Sequence, residues 1–255
     1  MIATFLLAVT VTVRAGDWGD ASVADIQTLL RNVQQNYFAS FPEPPGGDVH
    51  VVHGTESPLI ANRKSTNDPY RIYLDVSGRH WAQFSYQFAH EICHLTCGYD
   101  RFKQPGDKKH PWMWFQESLC ETASLFTLRR MAETWKTNPP YRNWTDYAPH
   151  LNEYAQKLVD DPARRLPVGV RLADFYAANR MILENHATER PLNGVVANHL
   201  LPVFEKNPRG WQAVRFLPAT MPGTLPEYLR AWLTLTPVEH AAIVRAIALE
   251  LGVAL

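Results

Sequence analysis

Between Arg79 and Cys97 the chain contains neither proline nor glycine, and Trp81, Phe84, Phe88, Ile92 and Leu95 recur at three- and four-residue intervals. That spacing predicts one amphipathic helix over 79–97, with an apolar stripe that must be buried against other elements. Gly98 follows, the residue type that most readily ends a helix in the left-handed conformation. His90, Glu91 and His94 ride on the same helix. A fold that buries the stripe therefore carries these three groups with it, to the margin of a packed core.

The flanking sequence supplies partners for that helix. Ser22 is suited to cap a helix running to about Ser40, with Ile26, Leu29, Leu30, Val33, Tyr37 and Phe38 on one face. Pro42, Pro44, Pro45, Gly46 and Gly47 break the chain, and Asp48–Gly54 and Tyr70–Val76 read as strands. Tyr99–Pro111 is polar and basic and reads as a loop. A second long helix is expected over 112–135, stopped by Pro139 and Pro140. Further helices are expected at about 148–160, 171–187, 190–205, 208–217, 225–234 and 237–252. Thr224-x-x-Glu227 and Thr236-x-x-Glu239 both have the capping-box pattern. There is no internal repeat. The expected class is α+β: a small α/β lobe over about 16–98, then a mainly α-helical lobe over 99–255, together one domain with two subdomains.

A chain of 255 residues that is 46% hydrophobic can bury a sizeable core. Lys plus Arg and Asp plus Glu number 25 each. That balance excludes nucleic-acid binding by bulk electrostatics, which requires a basic excess. The apolar run Ile2–Val13 is too short for a stable membrane span, which takes roughly 20 residues. It has two readings. Residues 1–15 form a signal peptide with Val13 and Ala15 at the cleavage positions, which would export the protein to the periplasm or outside the cell. Otherwise the run is a buried first strand, and the protein is cytoplasmic. Cys93, Cys97 and Cys120 do not form a disulfide framework; three buried thiols are favoured over one bridge and a free thiol.

His90 and His94 are four residues apart, so both imidazoles can face one ion from one side of a helix. Glu91 is offset by one residue. It is suited to take a proton from a water beside that ion. Two neutral nitrogens and a carboxylate base are the chemistry of a hydrolytic zinc centre holding one Zn²⁺. Such a centre needs a third protein ligand. Glu117 is the stronger candidate: it lies in the apolar stretch around Trp112, Trp114, Phe115 and Leu119, where a buried carboxylate requires a partner. Glu121, one turn on, is suited to accept the outer N–H of a ligand histidine. Asp100, six residues after His94, is the second candidate, and a cysteine or another group the third.

His90-Glu91-x-x-His94 followed by Glu117-x-x-x-Glu121 resembles the gluzincin clan of zinc metallopeptidases, and Trp114-Phe115-Gln116-Glu117-Ser118 is similar to the aromatic segment that carries the glutamate ligand in its aminopeptidases. The resemblance covers about residues 70–125. It implies a zincin-like fold, with His90, His94 and Glu117 as zinc ligands, Glu91 as general base and Glu121 behind a ligand histidine. It also implies that Tyr70–Val76 is the sheet edge that pairs with extended peptide substrates. The Gly-x-Met-Glu-Asn motif of the aminopeptidases is absent. Tyr141, Tyr147, His150 and His199 are candidates for stabilising an oxyanion. The expected function is a secreted zinc hydrolase cleaving peptides or proteins. The alternatives are an inactive peptidase-like binding or regulatory protein and a zinc hydrolase acting on a non-peptide amide.

Overall fold

The structure is a computed structural model that describes residues 9–42, 46–61, 65, 68–102, 110–220 and 223–255. Four strands form one sheet: β1 (Val9–Val13), β2 (Gly47–His53), β3 (Leu59–Ala61) and β4 (Tyr70–Leu74), in the order β1-β2-β4-β3. β1, β2 and β4 run parallel, and β3 is antiparallel to β4. Helices α1 (Val23–Tyr37), α2 (Trp81–Thr96), α3 (Met113–Trp135), α4 (Ala148–Asp160), α5 (Leu172–Asn185), α6 (Arg190–Lys206), α7 (Leu225–Leu235) and α8 (Ala241–Glu250) complete the fold. The class is mixed α+β. After Gly98 the described residues form helices, 3₁₀ turns and loops without a strand.

The chain divides into two compact units, one of residues 1–92 and 127–154 and one of residues 93–126 and 155–255. The first holds the sheet. Val11, Val13, Val49, Val51, Ile72 and Leu74 alternate along their strands and are buried, the period-two pattern of a sheet with one covered face. Ile26, Leu29, Leu30 and Val33 of α1 are fully buried in this unit. Ser22 caps α1 by accepting from Asp25 N. Gln27 fastens the helix to β1: its Oε1 accepts from Val13 N, and its Nε2 donates to Val11 O, each at 2.8 Å. The strand reading of the apolar run thus describes Val9–Val13, while Ile2–Ala8 lie outside the described residues. Cleavage after Ala15 would remove β1 entirely.

β4 is an interior strand and not the sheet edge. The three-residue strand β3, which the sequence did not announce, pairs with β4 through Leu59–Tyr73 and Ile60–Ile72 and takes up its outer side. The end of β4 sets the start of α2. Gln87 Oε1 accepts from Asp75 N at 3.2 Å, and Gln87 Nε2 donates to the Asp75 carboxylate. Trp135 and Trp81 both stack on Trp144, with centroids 5.4 and 5.2 Å apart.

The second unit is all helical among its described residues. Trp112 stacks on Tyr228, Trp114 on Tyr176 and Phe204 on Trp211. α3 is held to α6 by buried hydroxyls and amides: Ser118 Oγ reaches Asn193 Oδ1 at 3.4 Å, and Thr122 Oγ1 reaches Ala197 O at 3.5 Å. Thr224 and Glu227 form the expected capping box at the start of α7. Thr236 does not open the last helix. Its hydroxyl donates to Trp232 O at 2.7 Å and so closes α7, and α8 begins at Ala241 after a 3₁₀ turn at Val238–His240. The segment Pro208–Phe216 is 3₁₀ and not α-helical. Cys93, Cys97 and Cys120 are free and buried. Among the described residues no helix is long and apolar enough to cross a membrane.

Candidate metal centre

α2 ends where its sequence requires. Cys97 N bonds Cys93 O, and Gly98 turns the chain at φ +78°. A side chain at 98 would be strained in that conformation, and its Cβ would clash with the Arg101 guanidinium. The last two turns of the helix carry the motif. His90 is half-buried, Glu91 is 3% exposed and His94 is 4% exposed. The helical repeat sets His90 and His94 on one side of α2, with ring nitrogens within 4.8 Å of each other.

α3 starts at Met113 and brings Gln116 and Glu117 to His94; Trp112, Trp114, Phe115 and Leu119 at this end of the helix are buried. Gln116 Oε1 accepts from His94 Nδ1 at 2.8 Å. With Oε1 accepting, Nδ1 carries a proton, and a neutral ring then presents its lone pair at Nε2. Nε2 lies 3.5 Å from Glu117 Oε1. A protonated His94 pairs with Glu117 directly, and a cation bridging a neutral ring and the carboxylate suits the same geometry. Tetrahedral ligands of zinc at about 2.0–2.1 Å stand roughly 3.3 Å apart. The observed separation is close to that edge, so His94 and Glu117 fit one zinc ion. Tyr99 packs edge-on to His94, with centroids 6.2 Å apart.

Cys120, one helical turn beyond Gln116, brings its Sγ within 4.8 Å of a His94 ring nitrogen. Burial pushes its thiol well above the ordinary cysteine range. Among the described residues the close group around His90 and His94 is completed by Cys120; Glu117 approaches His94 but is not in that group, and Asp100, on the 3₁₀ turn Tyr99–Phe102 after the Gly98 bend, is in no such group. Glu121 pairs with Arg164 Nη2 at 2.8 Å, both side chains under a tenth exposed. The outer nitrogen of His94 is thus held by Gln116, and Glu121 anchors a buried cation.

Gln116 and Arg164 are the contributors that sequence reasoning missed. Gln116 had a signal: an amide between Phe115 and Glu117 in a buried helix requires a partner. Arg164 had none, because 43 residues separate it from Glu121. Of the oxyanion candidates, Tyr147 OH accepts from Ala82 N at 3.3 Å, Tyr141 OH meets Thr28 Oγ1 at 3.0 Å, His150 meets Glu153 at 3.0 Å and His199 meets Glu250 at 2.6 Å. Each already has a polar partner of its own.

Comparison with known proteins returns nothing: no family model, no curated protein and no solved structure matches the chain.

Proposed function

We propose that the protein is a zinc-dependent hydrolase, in which His90, His94 and Glu117 hold one Zn²⁺ and Glu91 is the general base. The observation that carries the reading is the opposition of His94 Nε2 and Glu117 Oε1 at 3.5 Å, with His94 Nδ1 already committed to Gln116. His90, one turn earlier on α2, supplies the second imidazole. When bound, zinc would polarise a scissile carbonyl and make a water acidic enough to be deprotonated near neutral pH.

The chain's own residues do the rest. Gln116 keeps the His94 proton on Nδ1 and its lone pair outward. Glu91 takes the proton of the attacking water and passes it to the leaving group. The preferred substrate is a peptide or protein, and a gluzincin-type peptidase with a zincin-like fold is the specific form of the proposal. Its support is the motif pair His90-Glu91-x-x-His94 and Glu117-x-x-x-Glu121. Exchange of Glu117 for Cys120 as third ligand is the second reading, favoured by the nearness of that sulfur to His94.

Metal analysis and a peptide-library cleavage assay test both. Glu91→Gln should keep one zinc per chain and lose activity by about 10²–10⁴-fold. Glu117→Ala should lose the metal, and Cys120→Ala should keep it; the reverse pattern selects the cysteine. A wild-type protein that carries zinc and cleaves nothing in the library points to the binding-protein alternative. Undiminished cleavage by Glu91→Gln overturns the mechanism.

A further inference from the structure

All three cysteines of the chain converge. Cys93 lies on α2, Cys97 sits one turn later just past the helix end, Cys120 comes from α3, and the three sulfurs lie within 4.8 Å of one another. Each residue has no exposed surface. A single buried cysteine is an ordinary core residue. Three that point at one another form a ligand set of one kind, soft and concave. We propose that Cys93, Cys97 and Cys120 form a binding site for one copper(I) ion, separate from the zinc centre.

The donor set selects the ion. Thiolates prefer soft cations, chiefly Cu(I), Zn²⁺ and iron–sulfur clusters. Structural zinc takes four ligands, and iron–sulfur clusters are held by four cysteines. Three sulfurs alone suit a three-coordinate monovalent ion. Metal–sulfur bonds of about 2.3 Å would space three such sulfurs roughly 4 Å apart, inside the observed limit. Binding breaks two S–H bonds, whose protons leave to solvent, and forms three metal–sulfur bonds; no electron is transferred. Two thiolates, one thiol and Cu⁺ carry a net charge of −1. The Arg101 guanidinium stands close by to balance it, with Nη2 donating to Cys97 O at 2.9 Å. The site uses none of His90, His94 and Glu117, so it is independent of the preferred zinc reading, and it competes only with the second one, which takes Cys120.

The test is copper transfer under anaerobic, reducing conditions from the coloured Cu(I)–bicinchoninate complex to the full chain. Two arms are run, one with the native protein and one during refolding from denaturant, because the sulfurs are buried. One equivalent should transfer in at least one arm. It should still transfer to His90→Ala and Glu117→Ala, and Cys97→Ser should hold it at least tenfold more weakly. X-ray absorption of the copper-loaded wild type needs no variant to fold, and should show three sulfur neighbours and no nitrogen. Failure to transfer in both arms overturns the proposal. So does a nitrogen in the copper shell, or undiminished affinity in a folded Cys97→Ser protein.

Discussion

The two units bury different kinds of side chain. Among the described residues the sheet unit buries one charged side chain, Glu91, within an interior of valines, leucines and stacked tryptophans. The helical unit buries His94, His110, Glu121 and Arg164, as well as Gln116, Asn193 and three thiols. The sheet unit is organised by backbone ladders and alternating apolar residues, so its polar groups are mostly satisfied by secondary structure itself. Both units use side-chain bonds between distant parts of the chain, such as Trp135 Nε1 to Asn32 Oδ1 in the sheet unit, but among the described residues the buried ion pair Glu121–Arg164 belongs to the helical unit. The contrast makes Glu91 conspicuous: in a unit that otherwise excludes charge, the one buried carboxylate is the proposed base. It also means that the units should fail in different ways.

The largest effect should come from the sheet unit. A chain beginning at Gly16 lacks β1 and with it the buried Val11 and Val13, each worth about 1.5–3 kcal/mol. Denaturant unfolding should lose several kcal/mol or its cooperative transition altogether. Full stability of the shortened chain would show that β1 is dispensable.

The helical unit should break at its charges. Glu121→Ala leaves Arg164 buried without its carboxylate, and should cost about 3–5 kcal/mol in denaturant unfolding. Replacing both members with apolar residues, Glu121→Leu with Arg164→Met, should recover most of that loss. If the double variant is no better than the single one, the pair does more than satisfy itself.

Gln116→Ala should weaken zinc by about 10–100-fold in a chelator competition while the melting transition moves little, because it frees the ring of His94 without removing a ligand. Unchanged affinity would mean that His94 is oriented by other contacts.

The smallest effect concerns pH. Burial holds His110 below its ordinary value of 6.5, against the opposing bond to Ala219 O. The folded protein therefore binds this proton less readily than the unfolded chain. The corresponding stability is present above pH 6.5 and is lost as pH falls from there through the lowered folded value. His110→Gln should flatten the slope of stability against pH in that window. A slope unchanged by the substitution would assign it to other groups.

Much of the fold was legible because it follows from local spacing. α1, α2, α3, α4 and α7 lie within a residue or two of the expected limits at most of their ends, since proline stops and apolar periodicity act over one or two turns. β3 was not legible. Three residues are too few to carry a pattern, and its pairing depends on β4 being in place. Thr236 misled for a related reason: the same hydroxyl can cap the helix that follows or bond back to the one before, and only the packing of Trp232, fully buried with Nε1 bonded to Ala213 O, chooses.

The same division runs through the proposed metal centre. By itself the sequence determined that His90, Glu91 and His94 share one helix at intervals suited to an ion and a base, because helical geometry is local. Only the tertiary structure decided what holds His94, where Glu121 points and that the three cysteines meet. Gln116 takes the histidine, Arg164 takes the glutamate, and Cys120 joins Cys93 and Cys97 from another helix. These pairings are made across 22 to 43 residues by packing. No spacing rule reaches that far, because the identity of a buried polar group's partner is settled only when the chain closes around it.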